Sequence, residues 1–229
     1  MGLVYKYRQF GEFTDNIILN AELFFSTCNS FNDPFDCNLE YNDDEIDNNI
    51  SDDLLRSFDK RQIKDTIEKM KNTVGILSMS ENYKNILMWS HYSKNHEGLC
   101  FGFEKNIFEG AKGEKVDYSK NKRYDLIFSL KKEFGDELKR LFLLKSKYWK
   151  YEEEFRFIEL GYTGVRKYDK NKLKQIIFGC KADETNIRKI IQLCQLNGFE
   201  HIVFKKARIV SGEFALDFDE INKNDYLES

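Results

Sequence analysis

The stretch KYWKYEEEFRFIEL, residues 147–160, decides how the fold is read. Trp149, Tyr151, Phe155 and Phe157 share one parity, and Glu152, Glu154 and Arg156 share the other. Alternation with period two marks a strand with one apolar and one polar face. The whole stretch is therefore expected as a strand. Before it, Leu126, Ile127, Leu130, Phe134, Leu138, Leu141 and Phe142 recur at helical spacing, which predicts an amphipathic helix over 125–146. Further back, Leu99–Glu104 alternates as a strand, Asn85–Ser93 reads as a short helix and Thr73–Ser80 as a buried strand. A short strand is expected at Val116–Tyr118 within the polar residues 105–124.

At the N-terminal end, Leu3–Phe10 alternates Tyr5 and Tyr7 with Lys6 and Arg8 as a strand, and Ala21–Ser26 is a second short one. Residues 42–53 are acidic and Asn-rich, a solvated loop, and Ser51 is placed to cap a helix over 52–72. After the central stretch come a strand at Gln175–Gly179, a helix over 184–196 and a strand at His201–Lys205, with Asn197-Gly198 stopping the helix. No repeat and no linker divides the chain. The expected architecture is one α+β domain over residues 1–229, a mixed or antiparallel sheet with packed helices.

Composition bounds the function. The 229 residues carry 36 basic and 39 acidic side chains, a formal net charge of −3, which makes no general case for non-specific nucleic-acid binding. Hydrophobic content of 41% excludes a disordered chain, and a single proline, Pro34, excludes Pro-rich low complexity. No apolar run approaches the ~18 residues of a membrane helix, and MGLVYKYRQF lacks a signal-peptide core. A cytoplasmic protein with no membrane contact is expected. Cys28, Cys37, Cys100, Cys180 and Cys194 are odd in number and widely spaced, which argues against a disulfide framework or zinc ribbon.

Four constellations bear chemistry. On a strand, Glu152 and Glu154 project the same way, ~7 Å apart between Cα atoms, with Arg156 next in line. Paired carboxylates suit proton transfer or stabilisation of a developing cation. A solvated strand face carries the same residues, and spacing alone favours that simpler reading. His91 and His96 sit about 140° apart on a helix and cannot face one metal; His91 and Trp89 line a pocket or simply pack. No metal site is expected. In Asn32-Asp33-Pro34-Phe35-Asp36, Asp33 and Asp36 flank the proline, either in an Asx-type turn or in a loop that carries polar groups to a site. The basic run Lys120–Arg123 is a nucleic-acid contact or a solvated loop. P-loop, dinucleotide-binding and nucleophile-elbow motifs are absent.

Taken together, several segments resemble one family. They are Tyr5-Lys6-Tyr7-Arg8, the Phe31–Asp36 turn, Leu77-Ser78-Met79-Ser80, Met88-Trp89-Ser90-His91-Tyr92 with His96-Glu97-Gly98, Val116–Tyr118, and Lys145–Arg156. The chain resembles the bacterial family catalogued as domain of unknown function 2971 from about residue 3 to 205. That resemblance implies a bacterial, cytoplasmic protein, in a family sometimes associated with phage defence, and it supplies no activity.

A second resemblance does. A basic residue on the first strand, a Ser-x-Ser ending a middle strand and a late Glu-x-Glu resemble the arginine–serine–glutamate ADP-ribosyltransferases. It implies NAD as substrate and a protein or nucleic acid as acceptor. Arg8 would bind phosphate or ribose, and Ser78 or Ser80 would buttress the nicotinamide pocket. Glu154 would stabilise the oxocarbenium, Glu152 would orient or deprotonate the acceptor, and Tyr92 or Trp89 would stack on nicotinamide. In the same sequence, Arg156 is placed to neutralise Glu154. Two alternatives stand beside it: a Mg²⁺-dependent nucleic-acid-processing enzyme using Asp33, Asp36, Glu152 and Glu154, and a non-catalytic binding module.

Overall fold

The computed structural model describes residues 2–37, 60–118 and 136–227. An eight-stranded mixed sheet organises them. Its strands are β1 (Leu3–Arg8), β3 (Gly75–Ser80), β4 (Leu99–Glu104), β5 (Glu114–Lys115), β6 (Glu154–Glu159), β8 (Leu173–Phe178), β9 (Val203–Ile209) and β10 (Leu216–Glu220). Their spatial order is β10-β9-β8-β4-β1-β3-β6-β5. A small second sheet pairs β2 (Glu22–Phe25) with β7 (Gly164–Lys167). The helices are α1 (Glu12–Leu19), α2 (Lys60–Thr73), α3 (Ile86–Tyr92), α4 (Asp136–Leu141), α5 (Glu184–Leu196) and α6 (Asn224–Leu227). This is the α+β class expected, and the sheet is mixed because only β8 and β9 run parallel. Parallel neighbours need a crossover, and α5 supplies it, stopped at Asn197 before Gly198, whose φ of 80° suits a residue without Cβ. No helix of the described residues is long and apolar enough to cross a membrane.

Alternation on the central strands separates two environments. Leu77 and Met79 of β3, Phe101 and Phe103 of β4, and Phe155 and Phe157 of β6 enter the main core, which α1 and α5 close with Ile17, Ile18, Ile187, Ile190 and Ile191. On the opposite face, Tyr5 and Tyr7 of β1 and Cys100 of β4 pack against Met88 and Trp89 of α3. A third cluster joins Cys28, Cys37, Ile76, Phe142 and Ile158. Asn85 caps α3, its side chain accepting from the Leu87 amide at 2.9 Å.

The structure corrects the central reading. Only Glu154–Glu159 is strand; Lys147–Glu152 forms 3₁₀ turns. Between them Glu153 is left-handed at φ 43° and ψ 51°, a conformation that costs a residue with a side chain ~1–2 kcal/mol. The strict alternation of aromatics upstream of Glu153 is thus a turn pattern mistaken for a pleat. The helix expected over 125–146 ends at Leu141. Beyond it, backbone pairing with Asp117 wins: the Asp117 amide donates to the Leu143 carbonyl at 2.7 Å and Lys145 donates back at 3.2 Å. The early part of that helix and the Lys120–Arg123 run lie outside the described residues. So do the acidic loop, Ser51 and the start of the helix expected over 52–72, which is described from Lys60. The strand expected at Val116–Tyr118 pairs instead at Glu114–Lys115, with one bridge at Asp117.

Candidate functional site

The β3–β6 register sets Ser78 opposite Arg156 and Ser80 opposite Glu154. Directly opposed residues share a face, so these four project away from the phenylalanine core. That face is not solvated. The Phe31–Asp36 turn and the segment after α4 cover it, and Arg156 is 1% exposed.

A buried charge of this kind persists only when paired. Arg156 donates from Nε to Glu154 Oε1 at 2.8 Å, from Nη2 to Asp36 Oδ2 at 2.6 Å and from Nη1 to the Phe142 carbonyl at 2.7 Å. Its guanidinium also lies 5.3 Å from the Phe31 ring centroid. The turn that holds the lone proline therefore has a role. Asp33 accepts from the Phe35 amide at 2.9 Å and shapes the turn, and the turn delivers Asp36 to Arg156. The two carboxylates flanking Pro34 divide the two readings between them: Asp33 builds the Asx turn and Asp36 reaches the site.

Lys145 ties the cluster together. Its Nζ is 2.5 Å from Glu152 Oε2, 3.0 Å from Glu154 Oε2 and 3.3 Å from Asp36 Oδ2. Glu152 Oε1 accepts from the Tyr92 hydroxyl at 2.6 Å, and the Glu152 carbonyl accepts from Ser80 Oγ at 2.6 Å. The left-handed Glu153 brings Glu152 and Glu154 onto one ammonium, where an extended strand would have spaced them along its face. Three carboxylates meet two cations, leaving the buried cluster one negative charge in excess when all five are ionised.

The two glutamates are tuned apart. Burial alone would raise Glu154, but the Arg156 guanidinium and Lys145 ammonium outweigh it and hold its carboxyl at about 2. For Glu152 burial prevails over Lys145 and the Tyr92 hydroxyl, and its carboxyl is pushed up. Burial works against the charge of Lys145, yet Glu154, Asp36 and Glu152 together raise its pKa.

Beside this cluster opens a cavity of about 450 Å³, within the ~300–1,000 Å³ typical of small-molecule sites. Of the residues singled out from sequence, Glu152, Glu154, Ser78, Ser80, Tyr92, His91 and Asp36 line it together. Arg156 stands behind Glu154. Three others do not line it. Trp89 is fully buried, donating from Nε1 to the Tyr83 carbonyl at 2.7 Å. Asp33 serves its own turn. Arg8 lies off the cavity, with Nε buried and without a hydrogen-bond partner among the described residues. The basic residue that β1 does bring to the cavity is Lys6. Sequence reasoning missed Lys6, Lys145 and Asn32. Lys145 opens the Lys145–Arg156 segment of the family resemblance and closes the apolar run Leu141–Leu144, but neither signal gave it a role in the site.

Among the described residues no group of three or more His, Cys, Asp or Glu is placed to hold a metal ion. Lys145 and Arg156 occupy the space between the carboxylates that the magnesium alternative would use. His91 Nδ1 is 3.1 Å from the Tyr151 hydroxyl, whereas the His96 carbonyl accepts from the Lys181 amide beyond α3.

Residues 88–157 match the family described as a protein of unknown function, DUF2971. This bears out the family resemblance over the stretch that carries α3, Lys145, Glu152, Glu154 and Arg156. No curated protein and no solved structure matches the chain.

Proposed function

We propose that the cavity binds NAD, cleaves its nicotinamide–ribose bond and passes the ADP-ribosyl group to a protein or nucleic-acid acceptor. The observation that carries this reading is the Lys145 bridge. It sets Glu152 and Glu154 side by side on the wall of an aromatic-lined cavity. As the C1′–N bond breaks, its electron pair goes to the pyridinium nitrogen and the ribose becomes an oxocarbenium. A fixed carboxylate stabilises that cation most where water is excluded and no reorganisation is needed. Glu154, held ionised by Arg156, fills that role. The acceptor X–H then attacks C1′ and loses its proton to Glu152, whose carboxyl burial pushes above its ordinary value and so makes it the better proton acceptor of the pair. The rings of Tyr92 and Phe31 on the cavity wall suit the flat cationic nicotinamide. A phage-defence setting is the biological role this reading carries.

The test is nicotinamide release and transfer of adenine-labelled ADP-ribose in a bacterial lysate. The wild type is expected to release nicotinamide, with at least a ~100-fold loss in folded Glu154→Gln, the scale of removing one electrostatic stabiliser. A folded wild type that neither binds nor cleaves NAD refutes the reading. One observation favours a non-catalytic clamp instead: both oxygens of Glu154 already accept from cations. On that second reading Glu154→Gln lowers stability and no turnover exists to lose.

A further inference from the structure

We propose that Lys6 is a nucleophilic amine that captures small aldehydes and ketones in this cavity as an imine. The inference stands apart from the NAD reading and uses a group that reading leaves idle.

Two lysines line the cavity, in opposite circumstances. Lys145 is saturated by three carboxylates. The Lys6 ammonium has one side-chain hydrogen bond among the described residues, donated to the Ser78 carbonyl at 2.7 Å, and no ion pair. An ammonium carries three N–H donors, so two remain for a ligand. The reason lies in the sheet. β1 and β3 share one paired position, Tyr5↔Ser80, and two residues before Ser80 the Ser78 carbonyl takes the Lys6 amine. The seam between these strands is where the amine meets the cavity.

The charged and titratable groups facing Lys6 are Arg8 on its own strand, the Glu154 carboxylate from β6 and the Cys100 thiol from β4. Burial and the Arg8 guanidinium oppose the ammonium, and Glu154 and Cys100 favour it; the balance lowers its pKa to about 8. A desolvated lysine beside another cation is the arrangement that yields free amine near neutral pH.

The step balances without an outside reagent. The neutral amine adds to the carbonyl carbon, and the C=O π pair moves to oxygen, which takes a proton. The nitrogen lone pair then expels water as the C=N bond forms, and the nitrogen proton is lost. Glu152 on the same wall is suited to protonate the departing hydroxyl and recover the proton.

The probe is acetylacetone, whose adduct with an amine absorbs in the near ultraviolet, and peptide mapping by mass spectrometry locates it. With wild-type protein at pH 7, Lys6 is expected to label at least ~10-fold faster than any other lysine. The rate should rise with a midpoint near 8 instead of the ordinary ~10.4. Lys6→Arg keeps a donor for the Ser78 carbonyl and should lose the fast phase while melting normally. Label spread over surface lysines, with Lys6 no faster, overturns the proposal and leaves Lys6 a strut across the seam. Mapping on wild type decides the matter even if Lys6→Arg does not fold.

Discussion

The two faces of β6 are both buried, and they are held by different physics. Phe155 and Phe157 face a core assembled from many strands and helices, where any close-packed apolar neighbour will do. Glu154 and Arg156 face a site where each charge needs particular partners: Asp36, Lys145 and the Phe142 carbonyl. Apolar burial is non-directional and roughly proportional to area. Buried charge is favourable only when its set of partners is complete. One face is therefore tolerant and the other brittle, although both exclude water.

Removing a charge from the brittle face should have the largest effect. Arg156→Met leaves Asp36 and Glu154 with fewer partners and is expected to cost about 4 kcal/mol in urea denaturation, the scale of a broken buried pair. Adding Glu154→Gln to that variant should recover part of the loss; strict additivity would show that the two charges are not coupled. On the tolerant face, Phe157→Ala should cost about 3 kcal/mol through transfer and cavity terms, with little dependence on pH.

Acid separates the faces further. Glu154 titrates at about 2 in the fold against an ordinary 4.5. Its contribution is therefore fully present above about 4.5 and is lost as pH falls toward about 2. Glu152 is shifted the opposite way, so its protonation favours the folded state as pH falls. Denaturation midpoints between pH 6 and 2 should thus fall less steeply for Glu154→Gln than for wild type, and more steeply for Glu152→Gln. Parallel curves for all three would break the assignment of opposite environments. The smallest effect is expected from Tyr92→Phe. It removes one hydrogen bond to a carboxylate, about 1–2 kcal/mol, and should not disturb the Arg156 pairs.

Much of the frame was legible. The β8–α5–β9 unit followed from two apolar runs, a helical repeat and Asn197-Gly198. The strands at β1, β3 and β4 followed from alternation or apolar runs. Helix α1, β7 and β10 were not read, because short elements docked on a core need little periodicity of their own. In the site, the Glu-x-Glu and Ser-x-Ser pairs pointed to residues that do converge on one cavity. Arg8 and Trp89 did not join them: β1 presents Lys6 to the cavity instead, and Trp89 is consumed by packing.

By itself, the sequence determined parity: which side chains of β6 travel with the phenylalanines and which with Glu154. Parity is local, a consequence of the pleat. Only the tertiary structure decided that the polar side is buried, because its partners come from elsewhere in the chain. Asp36 lies 120 residues from Arg156, and Lys145 arrives from a segment that leaves its helix to pair with Asp117. The left-handed Glu153, which turns the stretch 147–160 from one long strand into a bend that gathers two carboxylates on one ammonium, is likewise a tertiary outcome. Its local cost is offset by the charges that the bend brings together and by the hydrogen bonds Glu153 accepts from the Glu81 amide and the Asn82 side chain.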